Sequence, residues 1–226
     1  MRVLAIDTAT DAVVTGVAEI SVDGQVTTVA ERTVTDHRRH AELLTTLIAG
    51  SLVDAGVAGS ELDAVVVGCG PGPFTGLRVG LATAAAYADA LDLPVYGVCS
   101  LDALVSEELS DGVVDTSTVL AVTDARRREV YWALYCGAQR IEGPNVLAPQ
   151  SLADDLADRS VDLVVGTDGF TDRFGVPVGR VRRPSVAGLA AVAANAVLAR
   201  RAPDPLVPLY LRRPDAVELK DQKKRR

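Results

Sequence analysis

Three stretches of the chain carry residues whose types and spacing could serve ligand binding or catalysis. Asp7-Thr8-Ala9-Thr10 sets a carboxylate and two hydroxyls directly after a short apolar run. Gly70 to Gly80 is rich in glycine and proline, and His37 and His40 are the two histidines of the chain. These residues suggest phosphate contact at the first two places and metal binding at the third.

The Gly-Pro stretch, Gly70-Pro71-Gly72-Pro73-Phe74-Thr75-Gly76-Leu77-Arg78-Val79-Gly80, joins a β-branched run to a helical one. The run before it is Ala64–Gly68, and small residues from Leu81 to Leu91 follow it. Glycines permit a sharp turn and close backbone approach, and the first N–H groups of the next helix suit an anion. A tight turn without a ligand explains the same residues, as a side-chain-stabilised hairpin turn explains Asp7 and Thr8.

Catalytic and metal-binding patterns are weak. The two histidines lie three residues apart, whereas zinc or iron sites need three or four ligands. The cysteines, at positions 69, 99 and 136, form no Cys-x-x-Cys pair and suit buried thiols in a reducing compartment. Ser100 and Ser185 lack Gly-x-Ser-x-Gly surroundings, and no Walker loop occurs. The sequence therefore predicts no catalytic residue, no metal and no cofactor.

Composition is that of an ordinary globular protein, with 226 residues, 48% hydrophobic and 23% charged. A net charge of −7 argues against RNA binding by the chain alone, although a local basic patch is compatible with it. Asp7 interrupts the first apolar run, and no run approaches the ~20 residues of a membrane span. We expect a cytoplasmic protein without membrane contact.

The order of apolar segments predicts a repeated α/β unit. The first hundred residues indicate βββαβαβ, and Val119–Val122 followed by Asp124 resembles Val3–Ile6 followed by Asp7. A polar stretch from Glu107 to Thr118 is the expected linker. The predicted strands are 3–6, 12–22, 25–34, 64–68, 94–98, 119–122, 129–136, 139–141 and 161–165, and the predicted helices follow Asp36 as N-cap and cover 43–52, 77–91, 150–156 and 184–200.

A duplicated unit of this kind is typical of the ribonuclease-H-like superfamily of actin, Hsp70 and sugar kinases, which have two lobes. We predict lobes at 1–104 and 105–213, with a charged tail at 214–226. In that superfamily an aspartate after the first strand lies near the nucleotide phosphates. The likeness implies a nucleotide-binding-like loop pair formed by Asp7, Thr8, Gly70, Gly72, Thr75 and Gly76.

The Gly-Pro stretch also resembles the signature of the TsaB (YeaZ) family of tRNA threonylcarbamoyladenosine biosynthesis proteins. Further stretches that look like this family occur in the expected order: Asp7–Thr10, His40–Leu44, Gly97–Leu101, Asp124–Arg126, Glu129–Trp132 and Pro208–Arg212. Arg127-Arg128 departs from the pattern, where a smaller pair that includes glycine is expected.

The resemblance implies a subunit without catalytic activity. TsaD proteins, the catalytic paralogues, hold a metal with a His-x-x-x-His pair, and Ser100 and Leu104 stand at those positions here. With TsaD and the ATPase TsaE, TsaB proteins serve transfer of a threonylcarbamoyl group to adenosine 37 of tRNA. The implied partners are a TsaD-like subunit, a TsaE-like ATPase and, through the complex, tRNA.

The two helices of the first lobe are apolar on more than one face and could complete a four-helix bundle with a partner. The predicted interface residues are His40, Leu43, Leu47, Leu77, Leu81 and Ala85. Burial within one subunit, or a homodimer of the isolated chain, explains the same pattern. An autonomous nucleotide-dependent kinase or transferase and a metallopeptidase-like protein remain alternative functions.

Overall fold

The computed structural model describes residues 1–35, 40–110, 112 and 116–212, with the backbone alone at 40 and 41. Fourteen helices and strands cover this part of the chain, and short 3-10 turns lie at Gly59–Glu61 and Thr171–Arg173. In chain order they are β1 Arg2–Asp7, β2 Ala12–Ile20, β3 Val26–Thr35, α1 His40–Ala55, β4 Ala64–Gly68, α2 Phe74–Ala90, β5 Val95–Val98, α3 Ser100–Ser110, β6 Thr118–Asp124, β7 Val130–Cys136, β8 Gln139–Leu147, α4 Pro149–Asp155, β9 Leu163–Gly166 and α5 Val186–Leu198.

Two mixed sheets share one arrangement of strands. Sheet 1 has the order β3-β2-β1-β4-β5, and sheet 2 has the order β8-β7-β6-β9. In each sheet the first strand pairs antiparallel with the second and parallel with the strand that follows the first helical connection. The repeated α/β unit predicted from the sequence is therefore confirmed, with a smaller second copy.

Alternating strand residues build apolar layers on both faces of each sheet. In sheet 1, Leu4 and Val65 face α1 and α2, whereas Val3 and Val66 face α5. Sheet 2 packs Val119 and its neighbours against α3 on one face and Leu120 and its neighbours against α4 on the other. This packing places the carboxyl ends of β1, β4 and β6 near one another.

Helix α3 corrects the predicted linker. Residues 107–110 belong to α3, which begins at Ser100 and packs Leu101, Leu104 and Val105 against sheet 2. Helix α5, from the second half of the chain, packs in return on sheet 1. Each half thus gives a helix to the other sheet, and the predicted lobe boundary at 104/105 falls inside α3.

Two further details differ from the sequence prediction. Helix α2 begins at Phe74, inside the Gly-Pro stretch, because Leu77 N–H already donates to the Pro73 carbonyl. Helix α5 begins after Ser185, whose hydroxyl accepts the Gly188 N–H at 3.0 Å as an N-cap. Asp36, His37 and the tail at 214–226 lie outside the described residues. Within the described residues, no helix has the length and hydropathy needed to cross a membrane.

Candidate functional site

Asp7 is a buried carboxyl at the carboxyl end of β1. Asp7 is 1% exposed, and its Oδ1 atom accepts the Ala9 N–H at 2.8 Å. Oδ2 accepts the Ser100 hydroxyl at 2.6 Å. Burial raises the pKa of Asp7 from 3.8 to about 6, against the opposite effect of these two hydrogen bonds. Both carboxylate oxygens are thus occupied by groups of the chain itself.

Ser100 links Asp7 to the Gly-Pro stretch. Its N–H donates to the Gly70 carbonyl at 2.7 Å, and its hydroxyl accepts the Gly70 N–H at 3.3 Å. Four residues later on α3, Leu104 is fully buried among apolar side chains. The two positions at which the resemblance to TsaD proteins implies histidines therefore hold a structural hydroxyl and a core side chain.

The glycines of the site allow two loops to touch. A Cβ at Gly72 would lie 2.3 Å from the Ala9 carbonyl oxygen, and one at Gly80 would lie 2.2 Å from Thr8 Oγ1. Thr8 Oγ1 also donates to the Gly76 carbonyl at 2.8 Å. The space that glycine leaves is filled by the chain, so a larger residue at either position would push the two loops apart.

The structure brings five of the six residues of the predicted loop pair together. Asp7 and Thr8 contact the stretch that holds Gly70, Gly72 and Gly76 through the bonds and close approaches above. Thr75, in the first turn of α2, is exposed and takes no part in these contacts. The role of the loop pair in binding a nucleotide stays a prediction.

A second cluster forms around Phe74, where the extended segment 201–212 runs back over the Gly-Pro stretch. The Phe74 ring lies 4.8 Å from the Tyr210 ring, centroid to centroid, and the Arg78 guanidinium lies 3.9 Å from the Phe74 centroid. Arg78 Nε donates to the Tyr210 hydroxyl at 3.2 Å. The Leu209 N–H, one residue earlier, donates to the Cys69 carbonyl at 2.8 Å.

Arg212 continues this segment onto the β6–β7 turn, Ala125–Glu129. Its guanidinium donates to the Ala125 carbonyl at 2.8 Å and forms an ion pair with Glu129. Burial, and then the charge of Arg127, lower the pKa of Arg212. The tyrosine at 131, just beyond the turn, directs its hydroxyl to the Gly72 carbonyl at 3.5 Å.

The β6–β7 turn has a left-handed backbone at three successive arginines, with φ of 61° at Arg126, 53° at Arg127 and 63° at Arg128. Asp124 holds the turn by accepting the Arg126 N–H at 2.7 Å and by an ion pair with the Arg126 guanidinium at 3.3 Å. All three arginine side chains are exposed. The smaller, glycine-containing pair expected from the family pattern would suit this backbone, and arginine occupies it instead.

The predicted interface residues divide by depth. Leu77 is fully buried beneath the Gly-Pro stretch, so it cannot contribute to a partner surface in this conformation. Leu47 and Leu81 are each 8% exposed and pack towards sheet 1. Leu43 and Ala85 are half-buried, and the side chain of His40 lies outside the described residues.

The sequence did not predict that the aromatic and arginine residues of the second cluster contact one another. Phe74, Tyr210 and Arg212 all belong to stretches typical of the TsaB family, but no pattern within one stretch shows that they meet. Arg212 and the Ala125 carbonyl that it contacts are 87 residues apart in the chain. The sequence signal available for these residues is that they belong to those family-like stretches.

A solved structure with the same architecture shows the fold. The chain matches a polyphosphate/ATP-glucomannokinase of Arthrobacter with a TM-score of 0.53 and 13% identity, over 88% of this chain and 99% of that one. At that identity the likeness concerns the fold. The fold is the duplicated ribonuclease-H-like arrangement of the actin and sugar-kinase superfamily.

Closer relatives narrow the class to a family. A crystal structure from Pseudomonas aeruginosa, described as an uncharacterized protein with similarity to peptidase YEAZ, matches with a TM-score of 0.75 and 29% identity, over 93% of this chain and 99% of that one. The family model for TsaD, tRNA N6-adenosine threonylcarbamoyltransferase, matches residues 28–164. An uncharacterized protein of Mycobacterium tuberculosis is 50% identical over 96% of this chain and 94% of its own length.

The tRNA threonylcarbamoyladenosine biosynthesis protein TsaB of Escherichia coli is 35% identical over 135 residues. The matched region covers 60% of this chain and 55% of the Escherichia coli protein. The chain belongs to the TsaB (YeaZ) family, within the wider group that the TsaD family model describes.

Proposed function

We propose that this chain is a non-catalytic subunit of the complex that makes tRNA threonylcarbamoyladenosine. In that complex a threonylcarbamoyl group passes from threonylcarbamoyl-AMP to N6 of adenosine 37, in tRNAs that read codons beginning with A. A TsaD-like partner performs the chemistry, a TsaE-like ATPase assists, and tRNA binds to the assembly. Relatives that carry the TsaB name support the pathway, and the geometry around Ser100 supports the absence of catalysis.

The contacts of Ser100 carry the proposal. Its hydroxyl is held between Asp7 and Gly70, and Leu104 is fully buried, so neither side chain is placed for a metal. The same residues weaken the metallopeptidase alternative.

Outward residues of α1 and α2 provide a surface for the TsaD-like partner. Val53 is 78% exposed, and Ala82 and Ala86 are exposed on α2. Alanines permit a partner helix to approach closely, so two helices from each subunit could form a four-helix bundle. The half-buried Leu43 and Ala85 lie at the inner edge of this surface, where a homodimer of the isolated chain would compete with the heterodimer.

The function is tested by threonylcarbamoyl transfer to an unmodified tRNA transcript, with threonylcarbamoyl-AMP supplied. We compare this chain alone, TsaD with TsaE, and all three proteins together. Transfer by the complete mixture alone is the expected result. Transfer by this chain alone would overturn its assignment as non-catalytic, and full transfer without this chain would overturn its place in the complex.

Ala86→Glu tests the partner surface. A carboxylate in a close helix contact has to be desolvated, so we expect heterodimer formation with TsaD to fall at least tenfold. Ala199→Glu is the matched control, because Ala199 is also exposed but lies at the end of α5, on the opposite face of sheet 1. Equal affinities of both variants for TsaD would remove α2 from the interface.

A further inference from the structure

Five arginines lie where segment 201–212 contacts the Gly-Pro stretch and the β6–β7 turn: Arg78, Arg126, Arg127, Arg128 and Arg212. We call them the arginine surface. Arg78 contacts Tyr210, and Arg212 contacts the β6–β7 turn that carries the other three. Segment 201–212 therefore joins all five into one region of the molecule.

We propose that the arginine surface binds the phosphate backbone of RNA, next to a place for an unpaired base at Phe74 and Tyr210. This inference rests on the proposed function for the identity of the RNA, a tRNA, and adds the face of this chain that meets it. The sequence alone argued against RNA binding by the isolated chain because its net charge is −7. A local surface of the opposite sign removes that objection.

Carboxylates balance part of the charge at the arginine surface. Asp124 forms an ion pair with Arg126, and Glu129 forms one with Arg212. Burial, and then the charge of Arg127, lower the pKa of Arg212. Guanidiniums that share one surface attract an anion such as phosphate.

The shape of the turn directs arginines into solvent. Three successive residues with φ between 53° and 63° form a tight left-handed turn, and their side chains are exposed. Arg128 has no hydrogen bond or ion pair within the part of the chain that the structure describes. A guanidinium that is not committed to a protein carboxylate can bind phosphate through two parallel hydrogen bonds.

The neighbouring aromatic cluster distinguishes RNA from an acidic protein as the partner. Tyr210 is 37% exposed, and Arg78 and Tyr210 both contact the Phe74 ring. Unpaired RNA bases stack on aromatic rings and on guanidinium planes, whereas an acidic protein needs only the charges. A surface with both features suits an unpaired RNA segment whose phosphates reach the β6–β7 turn.

The test measures binding of the full chain to a fluorescent, unmodified tRNA transcript and to an RNA duplex of equal length, at several salt concentrations. Arg128→Glu should weaken tRNA binding about tenfold and lower the slope of log affinity against log salt by about 1. Tyr210→Ala should weaken tRNA binding and leave duplex binding unchanged. Arg200→Glu is the matched control, because Arg200 is exposed, has φ of 47° and lies beside Met1 at the far end of β1 from Asp7.

Several results would overturn the proposal. Equal weakening by Arg128→Glu and Arg200→Glu would mean that overall charge, not this surface, governs binding. Polyglutamate that displaces tRNA at equal charge concentration would favour an acidic protein as the partner. In the transfer assay, normal activity of Arg128→Glu with unchanged tRNA affinity would leave the proposed function standing and the RNA surface refuted. If tRNA binding depends on the arginine surface but the complete mixture transfers no threonylcarbamoyl group, the RNA surface stands and the proposed function is refuted.

Discussion

The loops that follow β1 and β6 occupy equivalent places in two sheets of the same strand order, but one is part of the core and the other is on the surface. Asp7 ends β1 and is 1% exposed, with both carboxylate oxygens bonded inside the protein. Asp124 ends β6, and its side chain is 32% exposed and paired with Arg126. Duplication of the strands has therefore not duplicated the environment at their ends.

The neighbours of each loop account for the difference. The β1 loop meets the Gly-Pro stretch and the first residue of α3, which close over Asp7. Among the described residues, sheet 2 lacks a fifth strand, and the β6 loop is instead contacted by Arg212 from segment 201–212. A strand end that is covered becomes structural, whereas an uncovered end keeps its charged side chains exposed to solvent.

Substitution of Gly68, the last residue of β4, should produce the largest loss of stability. A Cβ at Gly68 would lie 1.8 Å from Asp7 Oδ2, so we expect Gly68→Ala to lower the free energy of unfolding by about 3 kcal/mol or more. At Gly166, the last residue of β9, a Cβ would lie 1.8 Å from the Val122 carbonyl oxygen, with φ of 123°. Urea unfolding of both single variants measures these losses.

A second substitution separates the two glycines. Adding Asp7→Ala to Gly68→Ala removes the clashing carboxylate, so the two changes should be clearly non-additive. No side-chain change at Val122 can help Gly166→Ala, because that clash is with the backbone. Additive losses for the Asp7 and Gly68 pair would contradict the close contact that defines the first loop.

The pH dependence of stability should distinguish Asp7 from Asp124. Since burial raises the pKa of Asp7 from 3.8 to about 6, the folded state holds its proton more tightly than the unfolded state. Stability is therefore lost as the pH rises from about 4 to about 6, by up to about 3 kcal/mol at about 1.4 kcal/mol per pH unit. Relative to wild type, Asp7→Asn should gain that amount between pH 4 and pH 7, as measured by urea unfolding.

The same exchange at the second loop supplies the comparison. Asp124→Asn alters an exposed ion pair, whose contribution is about 0–1 kcal/mol, so its effect on stability should be smaller than that of Asp7→Asn. If the difference in the free energy of unfolding between wild type and Asp7→Asn stays constant with pH, burial does not raise the pKa of Asp7.

Local patterns predicted the strands well and the contacts between distant segments poorly. Ala64–Gly68 agrees with β4 residue for residue, because a β-branched run bounded by glycine and proline has few alternatives. Helix α3 was missed because its apolar residues pack against sheet 2. All strands of that sheet come later in the sequence, so no local pattern shows the contact. The bond from Ser100 to Asp7 spans 93 residues, so only the folded sheet brings them together.

The structure brings most residues of the predicted loop pair together, but their role in binding a nucleotide stays a prediction. Thr8 lies against Gly76 as the loop pair required, since β1 and β4 are parallel neighbours whose ends share one edge of sheet 1. Leu77 was predicted at a surface, but helical spacing alone does not show which apolar face covers the sheet. The charged β6–β7 turn could be read from the sequence, although its contact with Arg212 could not.

Removal of the link at Arg212 should have a moderate effect. Arg212→Ala deletes a charge-assisted hydrogen bond and a partly buried ion pair, which we expect to lower the free energy of unfolding by about 1–2 kcal/mol. Exchange of the Leu209 amide, which donates to the Cys69 carbonyl, should become faster because segment 201–212 loses its attachment. Hydrogen exchange with mass spectrometry measures both the segment and the turn.

Arg159→Ala is the control, because Arg159 also pairs with a carboxylate, Glu142, but does so at an exposed site between β8 and the end of α4. Its loss should cost less than about 1 kcal/mol and leave the Leu209 amide unchanged. Equal exchange rates of Leu209 in Arg212→Ala and wild type would show that the segment holds its place without the turn.

Glycine in the β6–β7 turn should have the smallest effect on stability. It also separates the effect of backbone strain from the effect of losing a charged side chain. Arg128 adopts φ of 63°, which costs an L-residue about 1 kcal/mol, so Arg128→Gly should leave stability unchanged or raise it by up to that amount. Arg200→Gly, at φ of 47°, should behave alike in urea unfolding. The two variants should part only in RNA affinity, which falls for Arg128→Gly because phosphate loses a guanidinium. If Arg128→Gly binds tRNA as wild type does, the turn at the end of β6 keeps its arginines for another reason, and the contrast between a structural and a binding loop fails at its exposed end.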